Sequence, residues 1–296
     1  MSIKSVLITG ADGLVGKRLV KRLADAGFRV SVFVRAVKDT PLFEQHKIQV
    51  FLGNLKDKAA IAQAVQGQDA IVHLIGTFQP KEGESLDDVN YLGAYHFHSI
   101  AQENKVQKFI FLSAYGASLG VKNTFLVSKG QAEVDIMQGE VPYVILRSTP
   151  IYGEGSFFTA LLHRFVDKGS APLIGSGKQT LQPIYVGDVV EYIYQALVGP
   201  AATQRVLEIG GPDKVTYEEL IQLVGDVAGK PIRLNKVPPF LRFLQPPIKL
   251  NGGAAAAKEL LDFYSRDSFV SVDRAQGVIP VSLTPLRLGL QKSIKN

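Results

Sequence analysis

The run Thr9-Gly10-Ala11-Asp12-Gly13-Leu14-Val15-Gly16 has the residue types and the spacing to cradle a pyrophosphate. A glycine at 10 permits a tight turn. A glycine at 13 lets the backbone approach the phosphates, and one at 16 lets a helix pack closely on a sheet. A helix opening at this point offers free N–H groups and a positive dipole end to an anion. An apolar strand stands directly before the glycines and a second strand follows the helix, as dinucleotide binding requires. That second strand ends in Val32-Phe33-Val34-Arg35. An acid there would accept a hydrogen bond from the adenosine ribose, whereas an arginine suits a 2′-phosphate. The expectation is therefore NADP(H) ahead of NAD(H), held by residues 10–16 and Arg35, with Lys38 as a second cation.

Other chemistries find little support. There are no cysteines, so thiolate metal sites, disulfides and cysteine nucleophiles are excluded. The five histidines, His46, His73, His96, His98 and His163, include no pair one helical turn apart with an acid to complete a ligand set, so no metal is expected. No Gly-x-Ser-x-Gly elbow is present.

The elements that must position the glycine loop follow from hydropathy. Short apolar runs at Ser5–Thr9, Val30–Val34, Ile48–Leu52, Ala70–Leu74, Lys108–Leu112 and Tyr143–Leu146 read as strands, several of them buried on both faces. Helical patterns at Gly13–Ala26, Lys58–Val65, Leu86–Asn104 and Ser128–Met137 separate them. The alternation predicts an α/β fold, a doubly wound parallel Rossmann-like sheet. Beyond Arg147 the rhythm loosens. Phe157–Val166 and Val186–Ala196 read as helices and Arg205–Ile209 as one more buried strand. Thr216-Tyr-Glu-Glu219 opens a further helix, and Ala254–Phe263 reads as another. The organisation expected is a dinucleotide-binding domain of residues 1–150 plus about 181–212. A smaller, discontinuous lobe is expected from about 151–180 and 213–296.

Composition agrees with a folded globular chain: 296 residues, 46% hydrophobic and 20% charged. The longest uncharged stretch, Val89 to Gln102, is too short and too polar to span a bilayer. The opening Met-Ser-Ile-Lys runs straight into Val6-Leu-Ile8, which reads as no targeting segment. The net charge is +6, and one stretch concentrates it. Lys230, Arg233, Lys236, Arg242, Lys249 and Lys258 lie between Asp226 and Glu259 with no acid among them. Bases and aromatics do not line one extended face, so a nucleic-acid partner is not expected. Apolar residues interleave the bases, as in a segment that docks a protein partner or a membrane-associated complex. A lobe packing its apolar residues inward has the same composition. The prolines break any long amphipathic helix and favour the lobe.

With these residues in view, the chain resembles the extended and atypical short-chain dehydrogenase/reductases over nearly its whole length. The segments that carry the resemblance are Gly53-Asn54-Leu55-Lys56-Asp57, His73-Leu74-Ile75-Gly76, Asn90-Tyr91-Leu92-Gly93, Ser113-Ala114 and Arg147-Ser-Thr-Pro-Ile-Tyr-Gly153. Leu181-Gln-Pro-Ile-Tyr-Val-Gly-Asp188, Glu208-Ile-Gly-Gly-Pro-Asp213 and Ala257 to Val270 look most like one branch. That branch contains the nucleotide-binding accessory subunit of respiratory complex I and its bacterial relatives. The resemblance implies that Asn54, Leu55, Leu74, Ile75, Gly76 and Asn90 flank the cofactor, and that Ser113 and Lys129 stand at its reactive end.

One departure bears on activity. Catalytic members carry Tyr-x-x-x-Lys, in which the ammonium lowers the phenol's pKa for proton exchange. Here the segment is Phe125-Leu-Val-Ser-Lys129, and a phenyl ring carries no proton to exchange. Tyr115, two residues past Ser113, is the first candidate to replace it, with Tyr152 and Tyr185 behind. Three functions remain open. They are a non-catalytic NADP(H)-binding structural, assembly or sensing component, an NADPH-dependent reductase with another proton donor, and a nucleotide-sugar epimerase or dehydratase. A cytoplasmic location, peripheral to a membrane complex, fits the first.

Overall fold

The structure, a computed structural model, describes residues 3–37, 40–173, 176–199, 202–236 and 253–294. The first half alternates strand and helix. β1 (Ser5–Thr9) leads through the glycine loop into α1 (Leu14–Asp25), then β2 (Arg29–Val34), α2 (Thr40–Gln45), β3 (Gln49–Leu52) and α3 (Lys58–Val65). β4 (Ala70–His73), α4 (Gly93–Glu103), β5 (Lys108–Ala114), α5 (Thr124–Gln138) and β6 (Tyr143–Ser148) complete it. The second half holds β7 (Ile151–Tyr152), α6 (Phe157–Lys168), β8 (Ser170–Leu173), β9 (Thr180–Leu181), β10 (Ile184–Tyr185) and α7 (Val186–Val198). It continues with β11 (Arg205–Ile209), β12 (Val215–Thr216), α8 (Tyr217–Ala228), β13 (Arg233–Lys236), α9 (Gly253–Tyr264), α10 (Val272–Gln276) and α11 (Leu286–Ile294).

Seven parallel strands form one sheet in the order β11-β6-β5-β4-β1-β2-β3. The Rossmann-like expectation holds. The inner strands are apolar end to end because both faces are covered: Val6, Leu7 and Ile8 of β1 and Ile71 and Val72 of β4 have no exposed surface. Residues of α1 and α7 pack on one face, and those of α3, α4 and α5 on the other. A third apolar cluster joins Tyr152 to α6, α8 and α11. Strand order reverses at β1, between β2 and β4. The carboxyl ends of β1 and β4 therefore open a crevice, the usual ligand position in such sheets.

Local chemistry sets the helix starts. Asp57 caps α3 by accepting from the Ala60 N–H, and Ser156 caps α6 by accepting from Thr159. Thr216 and Glu219 form the expected capping box at α8. Two helix starts differ most from expectation. The helix read as Leu86–Asn104 opens instead with a wide π-type turn at Asp88–Leu92 before α4 begins. Within that turn the Asn90 carboxamide is turned aside to bond the backbone of Thr77. Helix α5 starts four residues before Ser128 because Asn123 caps it, its side chain accepting from the Leu126 N–H.

Candidate functional site

The glycine turn lies at the crevice. Gly10 sits at φ +71°, and a Cβ there would lie 3.2 Å from the backbone of Leu74 and Ile75. Only glycine lets β1 and β4 approach in this way. The Gly13 N–H donates to Gly10 O at 3.0 Å. A Cβ on Gly13 would meet only that oxygen, at 3.1 Å, so the residue's open side faces the cleft. A Cβ on Gly16 would overlap Gly10 O and Ala11 Cα, which fixes how closely α1 enters beneath the turn. Ala11 and Val15 are buried behind it. No side chain caps α1 and no acid stands in its first turn. The first-turn N–H groups, with Leu14 and Val15 among them, remain directed at whatever anion the cleft admits.

From this turn the cleft runs two ways. One end is a cavity of about 260 Å³ lined by Asp12, Gly13, Arg35, Leu55, Ile75 and Glu84, among others. Asn54 does not line it. Its carboxamide oxygen accepts from the Lys56 N–H at 2.9 Å, closing a turn that presents Leu55 to the cavity. Arg35 is not a free cation: its Nη1 donates to both Glu84 carboxylate oxygens, at 3.0 and 3.1 Å. Lys38 lies outside the described residues.

The other end is a cavity of about 340 Å³, which shares Leu74, Gly76, Thr77 and Gln79 with the first, so the two are one cleft. Ser113 and Lys129 line its floor. The Lys129 Nζ donates to the carbonyls of Ile75 and Leu112, both at 3.1 Å, and sits 4.5 Å above the Phe111 ring. The residue is only 3% exposed. Burial pulls its pKa down from 10.5 to about 7, opposed in part by Glu133. Glu133 itself is tied to Arg147 by paired hydrogen bonds. The Ser113 hydroxyl is buried and bonds to nothing in the protein. Buried hydroxyls are normally satisfied, so this one is available to a ligand in the cleft.

Phe125, one turn before Lys129 on α5, also lines this end. Its ring stacks on Phe78 with centroids 3.8 Å apart, and Phe263 approaches edge-on. Phe263, Leu260 and Tyr264 all come from α9, which forms one wall. α9 is clamped to the start of α5. Asn123 Nδ2 donates to Glu259 O and to Asp262 Oδ2, while the Glu259 carboxylate accepts from the Thr124 hydroxyl and the Phe125 N–H. A carboxylate at that helix N-terminus is favoured by the dipole.

Several expected site residues stand elsewhere. Tyr115 does not line the cleft; burial, Glu208 and Asp267 all raise its phenol pKa. Tyr152 is wholly buried in the third apolar cluster, its ring against Tyr185, with its pKa raised by burial. Neither it nor Tyr185 lines the cleft. Asn90 is buried behind the cleft, where it holds Thr77. The cleft's phenol is Tyr264, which sequence reasoning passes over because α9 reaches the cleft only through tertiary packing. Burial raises its pKa. His73, the last residue of β4, is fully buried, its Nδ1 3.0 Å from the Thr9 hydroxyl; burial, then Lys129, holds its pKa well below 6.5. Among the described residues no group of three or more His, Asp or Glu could hold a metal ion. Residues 237–252 of the basic stretch lie outside the described residues.

Comparison with known proteins places the chain. The profile of the NAD dependent epimerase/dehydratase family matches residues 6–210. The mitochondrial NADH dehydrogenase [ubiquinone] 1 alpha subcomplex subunit 9 of Arabidopsis thaliana is 29% identical over 80% of this chain and 61% of that protein. The Photosystem II assembly factor Ycf39 of Trieres chinensis is 22% identical over 80% and 73%, respectively. The ceramide reductase of Caulobacter vibrioides is 25% identical over 79% and 73%. The match thus spans about three fifths of the length of the complex I subunit. Among solved structures, an epimerase of Methanothermobacter thermautotrophicus superposes with TM-score 0.78 at 19% identity, covering 99% of this chain and 92% of that one. MoeE5 in complex with UDP-glucose and NAD superposes at 0.75, also at 19% identity, covering 98% and 97%. At that identity the likeness is one of fold. Among the described residues no helix is long and apolar enough to cross a membrane.

Proposed function

The chain belongs to the NAD dependent epimerase/dehydratase family, and from that premise we propose that it binds a nicotinamide dinucleotide without turning it over. It then serves as a structural, assembly or sensing component. Residues 10–16 and the α1 N-terminus would hold the pyrophosphate, and Arg35, Leu55 and Ile75 the adenosine end. Leu74, Gly76, Ser113 and Lys129 would meet the nicotinamide ribose. The orphaned Ser113 hydroxyl and the open face of Gly13 fit such a ligand. Arg35 favours NADP(H).

The observation that carries the reading is the aromatic stack above Lys129. Hydride transfer to a carbonyl leaves an alkoxide that needs a proton, and a placed donor is typically worth ~10²–10⁴ in rate. Phe125, wedged between Phe78 and Phe263 at this position, offers none. Lys129 is also the one charged side chain among the described residues at this end of the cleft. Among the described residues a nucleotide sugar would find no second cation there for its diphosphate, and the missing phenol weighs against an epimerase or dehydratase as it does against a reductase.

A reductase is the second reading. Lys129, with its pKa near neutrality, the Ser113 hydroxyl and the Tyr264 phenol favour it, since all three line the same end. The test is purification without added nucleotide, followed by NADPH consumption with aldehydes, ketones and quinones. Retained dinucleotide with no consumption above background supports the binder; rapid consumption moves the assignment to the reductase.

The names of two relatives, a complex I subunit and a photosystem assembly factor, support a protein partner at a membrane complex. On this reading residues 151–180 and 213–296 form the partner-facing lobe, and the described part of the basic stretch packs into it, with Arg233–Lys236 pairing with β8 and Ile232 and Leu234 joining the third apolar cluster.

A further inference from the structure

Arg35 reads as a receptor for a 2′-phosphate, yet the structure gives its guanidinium to a carboxylate. We propose that Glu84 is a specificity-determining residue of the adenosine end. It holds down the affinity for a 2′-phosphorylated dinucleotide that Arg35 alone would confer. The inference rests on the cofactor reading of the cleft.

Glu84 reaches Arg35 across the cavity, from a segment 49 positions further along the chain. Both side chains line that cavity, with Lys81 and Asp12 as its other charged residues. The carboxylate is oriented before any ligand arrives. The Glu84 N–H donates to Lys81 O at 3.0 Å, and one carboxylate oxygen accepts from the Lys81 N–H at 3.3 Å. A tight turn therefore aims the acid at the guanidinium.

The two dinucleotides make different demands on this arrangement. An unphosphorylated ribose is neutral and leaves the pair intact, and its hydroxyls can donate to the carboxylate. A 2′-phosphate must share the guanidinium with the carboxylate that already occupies Nη1, and then tolerate a like charge a few ångströms away. The pair is partly solvated, at 46% exposure for Arg35 and 26% for Glu84, so water and salt screen the penalty. Coulomb attraction and repulsion at that distance in a watery environment amount to a factor of about three to ten in affinity for a doubly charged phosphate. The parent chain thus prefers NADPH by less than an unopposed arginine would give.

The test is calorimetric titration of NADH and NADPH into the parent, Glu84→Gln, Arg35→Ala and the double variant. Both residues are surface-accessible, and unchanged melting temperatures confirm intact folds. Glu84→Gln is expected to tighten NADPH by about three- to ten-fold at low salt while NADH stays within about two-fold. The gain shrinks as salt rises and is smaller in the Arg35→Ala background, where only the direct repulsion remains. A Glu84→Gln variant that leaves the ratio of the two affinities unchanged, or a gain as large without Arg35 as with it, overturns the proposal. Failure of the parent to bind either dinucleotide refutes the cofactor reading itself, and this inference with it.

Discussion

Replacing Lys129 by methionine should make the unliganded protein more stable and the cofactor weaker. The lysine is buried and its pKa lies at about 7 instead of 10.5. The unfolded chain therefore holds more protons than the folded one between those values, and the parent's unfolding free energy climbs with pH across that window. A tenfold change in proton affinity is worth ~1.4 kcal/mol, which sets a ceiling of about 5 kcal/mol on the destabilisation at and below neutrality. Methionine removes that burden with a side chain of similar reach. It gives up two hydrogen bonds to the carbonyls of Ile75 and Leu112, at about 1 kcal/mol each. The net expectation is a gain of roughly 1–3 kcal/mol near pH 6.5 that fades toward pH 9.5. Urea unfolding of both proteins across that range measures it. The same variant should lose about 1–3 kcal/mol of dinucleotide affinity if the ammonium bonds the ribose, a loss of roughly five- to 150-fold in Kd. A methionine variant less stable than the parent at neutral pH, or a difference that ignores pH, would show that the lysine's burial carries no strain and would refute the argument.

Gly13→Val should abolish dinucleotide binding while the fold survives, because its Cβ would meet only Gly10 O inside the protein; a melting temperature still raised by NADPH would exclude the loop as the phosphate cradle. Phe125→Tyr restores a hydroxyl beside Lys129 and should raise NADPH oxidation above the parent's background with any carbonyl compound that fits. Its absence of effect across a broad acceptor panel would place the barrier in substrate access instead of proton supply. His73 is buried and neutral, its pKa held below 6.5, so the unfolded state gains a proton first as pH falls. The parent should therefore lose ~1.4 kcal/mol for each pH step of one below about pH 6.5 from this residue, and His73→Leu should flatten that slope in denaturant titrations. Asn123→Ala removes both the cap of α5 and its bonds to α9, and should cost about 1–2 kcal/mol of stability by thermal or chemical unfolding.

The parts legible in the sequence are those encoded locally. Strands buried on both faces must be apolar along their length, so Val6–Ile8 and Ile71–Val72 declare themselves. The glycine loop is a property of one short segment, and so is the capping box at Thr216. The spacing of Phe125 and Lys129 is local too, but only the structure puts both on one helix, because the Asn123 cap starts α5 before either. What stays hidden joins distant positions. The pairing of Arg35 with Glu84 leaves no trace in either neighbourhood, and an arginine at a strand end reads as more available than it is. Asn90 carries a family-like signal, but its bonds to Thr77 make it a support for the cleft edge. Tyr264 escapes notice for the same reason that α9 is a wall: only the clamp to α5 brings it there. Helix α11, by contrast, shows Leu286, Gly289, Leu290, Ser293 and Ile294 at helical spacing on its buried face. That pattern is readable from the residues alone.

The clamp between α9 and α5 has a consequence for how the protein communicates. α9 supplies three of the cleft's side chains, and its first turns are the end of the basic, proline-rich stretch. A helix that is both a wall and the continuation of that stretch ties the two into one energy balance. Whatever restricts the position of α9 from its amino-terminal side changes the shape open to the dinucleotide. By thermodynamic reciprocity a filled cleft changes the affinity for that same restraint by an equal factor. No conversion of the dinucleotide is needed for such exchange. Occupancy alone would be the message, carried by three side chains and a carboxylate resting on the end of a helix.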